Sequence, residues 1–108
     1  MNDEPTRINK WGNKIWKNSE GKLHRDGDLP AFITYDGKGY CWYRNGNFHR
    51  DHNLPAEIHF DNFCRWWING VIIKDKYCTQ EEAEEYRKPY YFQKLKKTEF
   101  NRFERLIK

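Results

Sequence analysis

The chain has 108 residues, with 20 Lys and Arg against 16 Asp and Glu, and a formal charge of +4. This length fits one domain, and a charged fraction of 33% would by itself favour disorder. Five Trp, seven Tyr and seven Phe oppose disorder, because each buried aromatic ring removes a large apolar area from water. We therefore predict a single folded domain over residues 1–108.

A thirteen-residue block occurs twice in the chain, at residues 24–36 and 49–61. Eight of its thirteen positions are identical, including His-Arg-Asp at the start and Leu-Pro-Ala in the middle. A Trp-x-x-Asn-Gly pattern follows each block, beginning at Trp42 and Trp66, and a looser copy begins at Trp16. Repetition at a spacing of about 25 residues is typical of arrays in which each unit packs on its neighbours.

Each unit carries strand and turn signals in the same order. Apolar and polar residues alternate over 31–36 and 56–61, with Tyr35 and Phe60 on the side that is predicted to be buried. An Asn-Gly pair after the next strand favours a tight turn, since both residues of that turn need a positive φ. These signals predict an antiparallel β-repeat sheet of about seven or eight strands within residues 11–77. The two pairs are Asn45, Gly46 and Asn69, Gly70.

The pattern changes after the last predicted strand. Thr79 followed by Glu82 is a capping-box signature, which predicts a first helix from about residue 80 to residue 87. Pro89 favours a second helix, and apolar residues recur beyond it at roughly helical spacing. Residues 79–108 are thus a predicted C-terminal helical segment. The fold class is α+β: an antiparallel β-meander of tandem hairpin repeats with one or two C-terminal helices packed on it.

The cysteines and the first residues of the chain allow predictions about the cellular compartment and the cofactors. The three cysteines are scattered, with no CxxC pair and no zinc-site spacing, which predicts reduced, buried thiols and neither a metal nor another cofactor. No apolar stretch approaches the ~18 residues of a membrane span, and the first residues are polar and acidic, unlike a secretory signal. The expectation is a cytoplasmic protein with no membrane partner.

The His-Arg-Asp-x-x-Leu-Pro-Ala block and its downstream Trp-x-x-Asn-Gly resemble MORN-like repeat variants common in bacteriophage and giant-virus proteins. The resemblance covers about residues 11–75 and implies a scaffold or interaction array with no assigned activity. The Gly-rich hairpins of MORN repeats proper are missing from this sequence, so the resemblance does not imply lipid binding.

The His-Arg-Asp triplet has three interpretations. In the structural one, each Arg pairs with an acid and each His bonds a neighbouring backbone group, which holds the turn between units. Contact with a partner and phosphodiester cleavage are the alternatives. A catalytic constellation is ordinarily assembled once, whereas this triplet recurs with the repeat, which favours the structural interpretation. The residues assigned to the structural repeat are His24, Arg25, Asp26, Pro30, Asn45, Gly46, His49, Arg50, Asp51, Pro55, Asn69 and Gly70.

A second group of residues forms a candidate partner surface. Tyr43, Arg65 and Trp67 are predicted to point away from Trp42 and Trp66. This row is covered by the C-terminal helices, or is an exposed patch for a protein partner, or stacks on single-stranded bases. The basic C-terminal segment is a solvated face or a further contact with protein or nucleic acid. The candidate partner-binding residues are Tyr43, Arg65, Trp67, Lys94, Lys97, Arg102 and Arg105.

Together these patterns predict a non-enzymatic binding module. We expect a small phage or virus accessory protein in the host cytoplasm that modulates or inhibits a host protein, such as a defence or transcription component; the viral part rests on the resemblance alone. The alternative is a nucleic-acid-binding protein that uses the basic C-terminal helix and exposed aromatic residues. A hydrolase built on the His-Arg-Asp triplets is a third class. Exposed strand edges leave a homodimer open.

Overall fold

The computed structural model describes residues 4–93, which contain nine short strands followed by a helix. The strands are β1 (Arg7–Ile8), β2 (Lys14–Ile15), β3 (Phe32–Ile33), β4 (Tyr40–Cys41), β5 (Tyr43–Arg44), β6 (Asn47–Phe48), β7 (Glu57–Ile58), β8 (Phe63–Ile68) and β9 (Val71–Tyr77). The helix is α1 (Gln80–Tyr86), and the backbone is helical again at 90–93. The predicted C-terminal helical segment beyond residue 93 lies outside the described residues.

Seven of the strands form one sheet in the order β1-β2-β3-β4-β7-β8-β9, and every neighbouring pair is antiparallel. Strands β5 and β6 form a separate hairpin. Trp42 lies between the seven-stranded sheet and this hairpin. Its backbone N–H donates to the carbonyl of Ala56, before β7, and its own carbonyl accepts from the N–H of His49, after β6. The predicted combination of an antiparallel sheet and a helix is confirmed.

The two Asn-Gly pairs form the tight turns that the sequence predicts. Asn45 and Gly46 have φ angles of 49° and 87°, between β5 and β6. Asn69 and Gly70 have φ angles of 47° and 80°, between β8 and β9. Positive φ at both central residues matches the right-handed twist of the flanking strands, which is why such turns close two-residue hairpins.

The main core lies between one face of the sheet and α1. Thr79 caps this helix: its hydroxyl accepts from the N–H of Glu82, and the Glu82 carboxylate accepts from the N–H of Thr79. The helix ends at residue 86, one residue before the predicted end. Its Ala83 is fully buried against the sheet. The cluster of buried residues consists of Trp42, Ala56, Ile58, Cys64, Trp66, Cys78 and Ala83.

The opposite side of the sheet, which we call the open face, bears Cys41, Glu57, Arg65 and Trp67. The strand register places Cys41 opposite Glu57, and Glu57 opposite Arg65. Residues directly opposite each other on paired strands point to the same side, and residues two apart on one strand share a face. Helix α1 packs on the other face, so it does not cover this row. The rest of the predicted C-terminal helical segment, which could cover it, lies outside the described residues.

The burial predicted for Tyr35 and Phe60 is wrong. Strands β3 and β7 end at Ile33 and Ile58, and the chain turns immediately afterwards. Both aromatic residues therefore stand on hairpin turns, where they are exposed. The alternation of apolar residues continues past the point at which the strand ends, because Asp36-Gly37 and Asp61-Asn62 reverse the chain.

Candidate binding surfaces

Both His-Arg-Asp blocks hold their histidine ring in the same way. Nδ1 of His24 accepts a hydrogen bond from the backbone N–H of Asn45, and Nδ1 of His49 accepts one from that of Asn69. Nε2 of each ring lies within 2.9 Å of the carboxylate two residues later. An accepting Nδ1 carries no proton, so this pattern assigns the neutral Nε2–H tautomer to both rings. Both nitrogens of each ring are engaged, which disfavours base catalysis and metal binding by these residues.

The arginines of the two blocks also occupy matching environments. The guanidinium of Arg25 lies 3.8 Å from the ring centre of Trp16, and that of Arg50 lies 3.8 Å from the ring centre of Trp42. In both cases Nη1 donates to the carbonyl of the proline five residues later, at 3.1 Å. Each arginine thus binds the turn of its own block to the tryptophan of the preceding unit.

Arg50 makes further bonds that join the sheet to the helix. It is 2% exposed, and its guanidinium donates to both carboxylate oxygens of Asp28, at 2.8 and 3.1 Å. It also donates to the carbonyls of Tyr86 and Lys88, at the end of α1. A cation at this position complements the negative end of the helix dipole. Burial lowers the pKa of Arg50, and the Asp28 carboxylate opposes that shift.

A cavity of about 360 Å³ lies between the two blocks, which we call the charged cavity. Asp28 pairs with Arg50 there, and Asp51 pairs with both His49 and Arg44. Those two partners, His49 first, hold the pKa of Asp51 below its usual value. Within residues 4–93, no group of three His, Cys, Asp or Glu is arranged to hold a metal ion. The charges of this cavity are thus used in pairs that hold the fold.

Glu57 occupies the centre of the open face. Its carboxylate accepts from Nε1 of Trp67 at 2.9 Å and from Nη1 of Arg65 at 3.3 Å. It also lies 2.8 Å from Nε2 of His59. Two of the candidate partner-binding residues, Arg65 and Trp67, are therefore fixed by one nearly buried carboxylate.

Tyr43, the third candidate on this face, belongs to a stack of three rings. Its ring centre lies 4.4 Å from that of Phe48, which lies 4.9 Å from that of Trp67. Burial raises the pKa of the Tyr43 phenol, with smaller contributions from Cys41 and Glu57. The stack leaves these rings half-buried, with part of their surface already used against one another.

A second cavity, of about 390 Å³, lies where three hairpin turns meet the open face, and we call it the aromatic groove. Trp11, Tyr35 and Phe60 stand on the turns between β1 and β2, β3 and β4, and β7 and β8; they are 66%, 77% and 72% exposed. Phe32 and Tyr40 also line it. Exposed aromatic residues grouped around a depression are typical of interaction sites.

The charged residues that line the aromatic groove are acidic. They are Asp36 and Glu57. A hydrogen bond from the hydroxyl of Thr34, and then one from the backbone N–H of Lys38, lower the pKa of Asp36. Cys41 also lines the groove, but burial and the nearby Glu57 raise the pKa of its thiol to about 12. The thiol is therefore protonated at neutral pH and is a poor nucleophile.

The sequence interpretation missed the residues of the aromatic groove. The signal was present: in both blocks an aromatic residue and an aspartate come directly before a residue with positive φ, Gly37 in one and Asn62 in the other. Such a sequence places an aromatic side chain on a turn. The basic candidates Lys94, Lys97, Arg102 and Arg105 lie outside the described residues.

Comparisons of the chain with protein-family models, with curated proteins and with solved structures gave no match. Within the described part of the chain, the helices are too short and too polar to cross a bilayer.

Proposed function

We propose that this protein is a non-enzymatic binding module built from tandem units of about 25 residues, and that its aromatic groove contacts a protein partner. The observation that carries the proposal is the grouping of Trp11, Tyr35 and Phe60, all exposed, around a groove that Cys41 and Glu57 of the open face also line. Aromatic residues dominate binding energy at protein interfaces, because they bury a large area with few rotatable bonds.

Matching bonds support the tandem units. His24 and His49 bond equivalent backbone groups 21 and 20 residues ahead of them. The indole N–H of Trp42 donates to the carbonyl of Asp28, and that of Trp66 donates to the carbonyl of Asn53, at 3.0 Å each. Equivalent residues that make equivalent bonds are expected when successive units stack on one another.

The hydrogen bonds and ion pairs of the polar groups in the two blocks support a role other than catalysis. The histidines of the two blocks are held as neutral donors, and the acids of the charged cavity are paired with neighbouring bases. General base catalysis needs a free lone pair that can take up a proton from a substrate, and the unprotonated Nδ1 of each ring already accepts a backbone N–H. Hydrolysis by the His-Arg-Asp triplets is therefore disfavoured.

The proposed partner is a protein of the host cell, and the proposed effect is to modulate or inhibit it; this part follows from the viral resemblance. Nucleic-acid binding remains the alternative through the basic residues beyond residue 93. The aromatic groove favours protein, because carboxylates line it and would repel phosphate groups.

The test is affinity capture from a host lysate with two double variants. Tyr35→Ala/Phe60→Ala removes two rings from the groove, and Tyr77→Ala/Phe92→Ala removes the same two ring types from exposed positions elsewhere. We expect the first variant to lose partner binding by at least about tenfold and the second to retain it. Equal capture by both would refute the groove as the contact site. A loss of binding with added salt as steep as several phosphate contacts produce, together with loss of capture after nuclease treatment, would instead favour nucleic acid.

A further inference from the structure

The aromatic groove has a charge that differs from that of the chain as a whole. The chain contains 20 Lys and Arg in 108 residues, a frequency that would place about two among the groove's thirteen lining residues. Within the described residues, the lining contains no Lys or Arg and two carboxylates, those of Asp36 and Glu57. Because Arg65 pairs with Glu57, the carboxylate of this lining that remains to attract a cation is that of Asp36, although the protein carries a net positive charge.

The rings that line the aromatic groove also favour a cation as the ligand. A guanidinium or ammonium is attracted to the face of an aromatic ring, and the attraction strengthens where water is partly excluded. The ring of Trp11 already holds the ammonium of Lys10, 4.6 Å from its centre. Tyr35 and Phe60 present two further exposed rings beside Asp36.

A buried cation of the same protein is surrounded by an aromatic ring and a carboxylate. The guanidinium of Arg50 lies on the ring of Trp42 and pairs with the carboxylate of Asp28. Ring and carboxylate together compensate a cation that is almost completely withdrawn from water. The groove offers the corresponding parts, aromatic rings and a carboxylate, at an exposed site.

Asp36 is placed to bind an incoming donor. Both of its hydrogen bonds from the described residues, from the Thr34 hydroxyl at 2.6 Å and the Lys38 N–H at 3.0 Å, end on Oδ1. They fix the carboxylate through Oδ1, and none of the described residues donates a hydrogen bond to Oδ2. The carboxyl group is ionised at neutral pH, and its lowered pKa extends that state to more acidic solution. Glu57 is already bonded to Arg65 and Trp67, so it does not serve as the acceptor for a ligand.

We propose that the aromatic groove binds an arginine or lysine side chain from an extended segment of a partner protein. The cation lies against the rings of Tyr35 and Phe60, and it donates to Asp36. This inference rests on the proposed function, since it specifies which chemistry of partner the groove accepts.

The experiment is a titration of the ¹⁵N-labelled full chain with the peptide acetyl-Gly-Arg-Leu-Arg-Gly-amide, followed by NMR. The control peptide has citrulline in place of both arginines, which removes the charge and keeps the shape. We expect the arginine peptide to shift the Trp11 indole N–H and the amides of Tyr35 and Phe60. Its dissociation constant should be at least about tenfold lower than that of the citrulline peptide. Asp36→Asn should reduce that difference, because only the attraction of the rings remains, and Tyr77→Ala should leave it unchanged.

The outcomes separate this inference from the proposed function. Equal binding of both peptides in the groove would overturn the cation preference and leave a protein-binding groove intact. Failure of the arginine peptide to shift the groove signals would overturn the inference, while the capture experiment with Tyr35→Ala/Phe60→Ala decides the proposed function independently.

A third arm tests whether the occupant is the chain's own basic segment. In the full chain, the basic residues beyond residue 93 are replaced by Gln, and the spectrum is recorded without peptide. Unchanged groove signals support an external partner, whereas shifts at Trp11, Tyr35 and Phe60 would assign the groove to this segment and overturn the inference. The substituted residues are Lys94, Lys96, Lys97, Arg102, Arg105 and Lys108.

Discussion

The histidines of the two blocks illustrate how a single side chain can resemble a catalytic group and yet have a structural role. Each ring accepts a backbone N–H at Nδ1 and donates to an aspartate at Nε2. The sequence predicted that these rings would bond a neighbouring backbone group. It did not reveal that the groups are Asn45 and Asn69, which belong to the tight turns that follow each block.

Loss of either ring should therefore lower stability. His49→Ala leaves the Asn69 N–H without its acceptor in a nearly buried site, so we expect the free energy of unfolding to fall by about 1–3 kcal/mol. His24→Ala should cost less, because its side chain is 21% exposed against 6% for His49. Urea denaturation measures both values. Asp26→Ala removes only the exposed carboxylate bonded to the His24 ring and should by itself change stability by less than about 0.5 kcal/mol. Unchanged melting temperatures in both histidine variants would contradict the structural role.

Helix α1 is attached to the sheet through Arg50 as well as through its apolar side. The Tyr86 and Lys88 carbonyls, at the end of the helix, accept from a guanidinium that also pairs with Asp28. The sequence predicted the start of this helix from the capping box, because a cap is local. The partner at its end is 36 residues away in the chain, so local patterns could not identify it.

Arg50→Met should therefore be the most damaging single substitution among the repeat residues. It leaves Asp28 without its cation and removes the donor to the Tyr86 carbonyl, the last of α1, and we expect a loss of about 3–5 kcal/mol. Arg44→Met is the matched control, since its pair with Asp51 is about half exposed and should contribute at most about 1 kcal/mol. Chemical denaturation followed by circular dichroism provides both numbers. Similar small losses in the two variants would show that Arg50 does not tie the helix to the sheet.

Acid stability depends on charges distributed over the whole molecule. Asp36, Asp51 and Glu82 each have a lowered pKa, caused mainly by hydrogen bonds from Thr34, from His49 and from the Thr79 backbone, respectively. A carboxyl group with a lower pKa in the folded state stabilises that state at pH values above its ordinary pKa. That contribution is lost as the pH falls through the lowered value.

We therefore expect the contribution of these carboxyl groups to the free energy of unfolding to be nearly constant between about pH 5 and pH 8 and to decrease progressively below about pH 4.5. Urea denaturation at a series of pH values measures this curve. Glu82→Gln should make the decrease shallower, because one of the shifted groups no longer titrates. Glu81→Gln, in the same first turn but outside the capping box, is the control. A curve that rises towards low pH, or that is unaffected by Glu82→Gln, would contradict this account.

At the scale of the whole molecule, local signals predicted most of the architecture. Alternation and Asn-Gly pairs predicted antiparallel strands and tight turns, and the Thr79 capping box predicted the helix. These features depend on residues a few positions apart, whose steric preferences and hydrogen bonds act before the chain has a tertiary fold. Strand ends were predicted less well, and the extension of the strands to Tyr35 and Phe60 was wrong.

The candidate site depended on tertiary structure. Trp11, Tyr35 and Phe60 lie on three separate hairpins, and the pairing of β2 with β3 and of β4 with β7 brings these hairpins side by side. Likewise, only tertiary packing determined that α1 covers the face of the sheet that bears Trp66 and not the open face, which bears Trp67. The sequence by itself determined the strands, the turns and the start of the helix, because those follow from neighbouring residues. The groove and its charge required the fold, because they arise where distant segments meet.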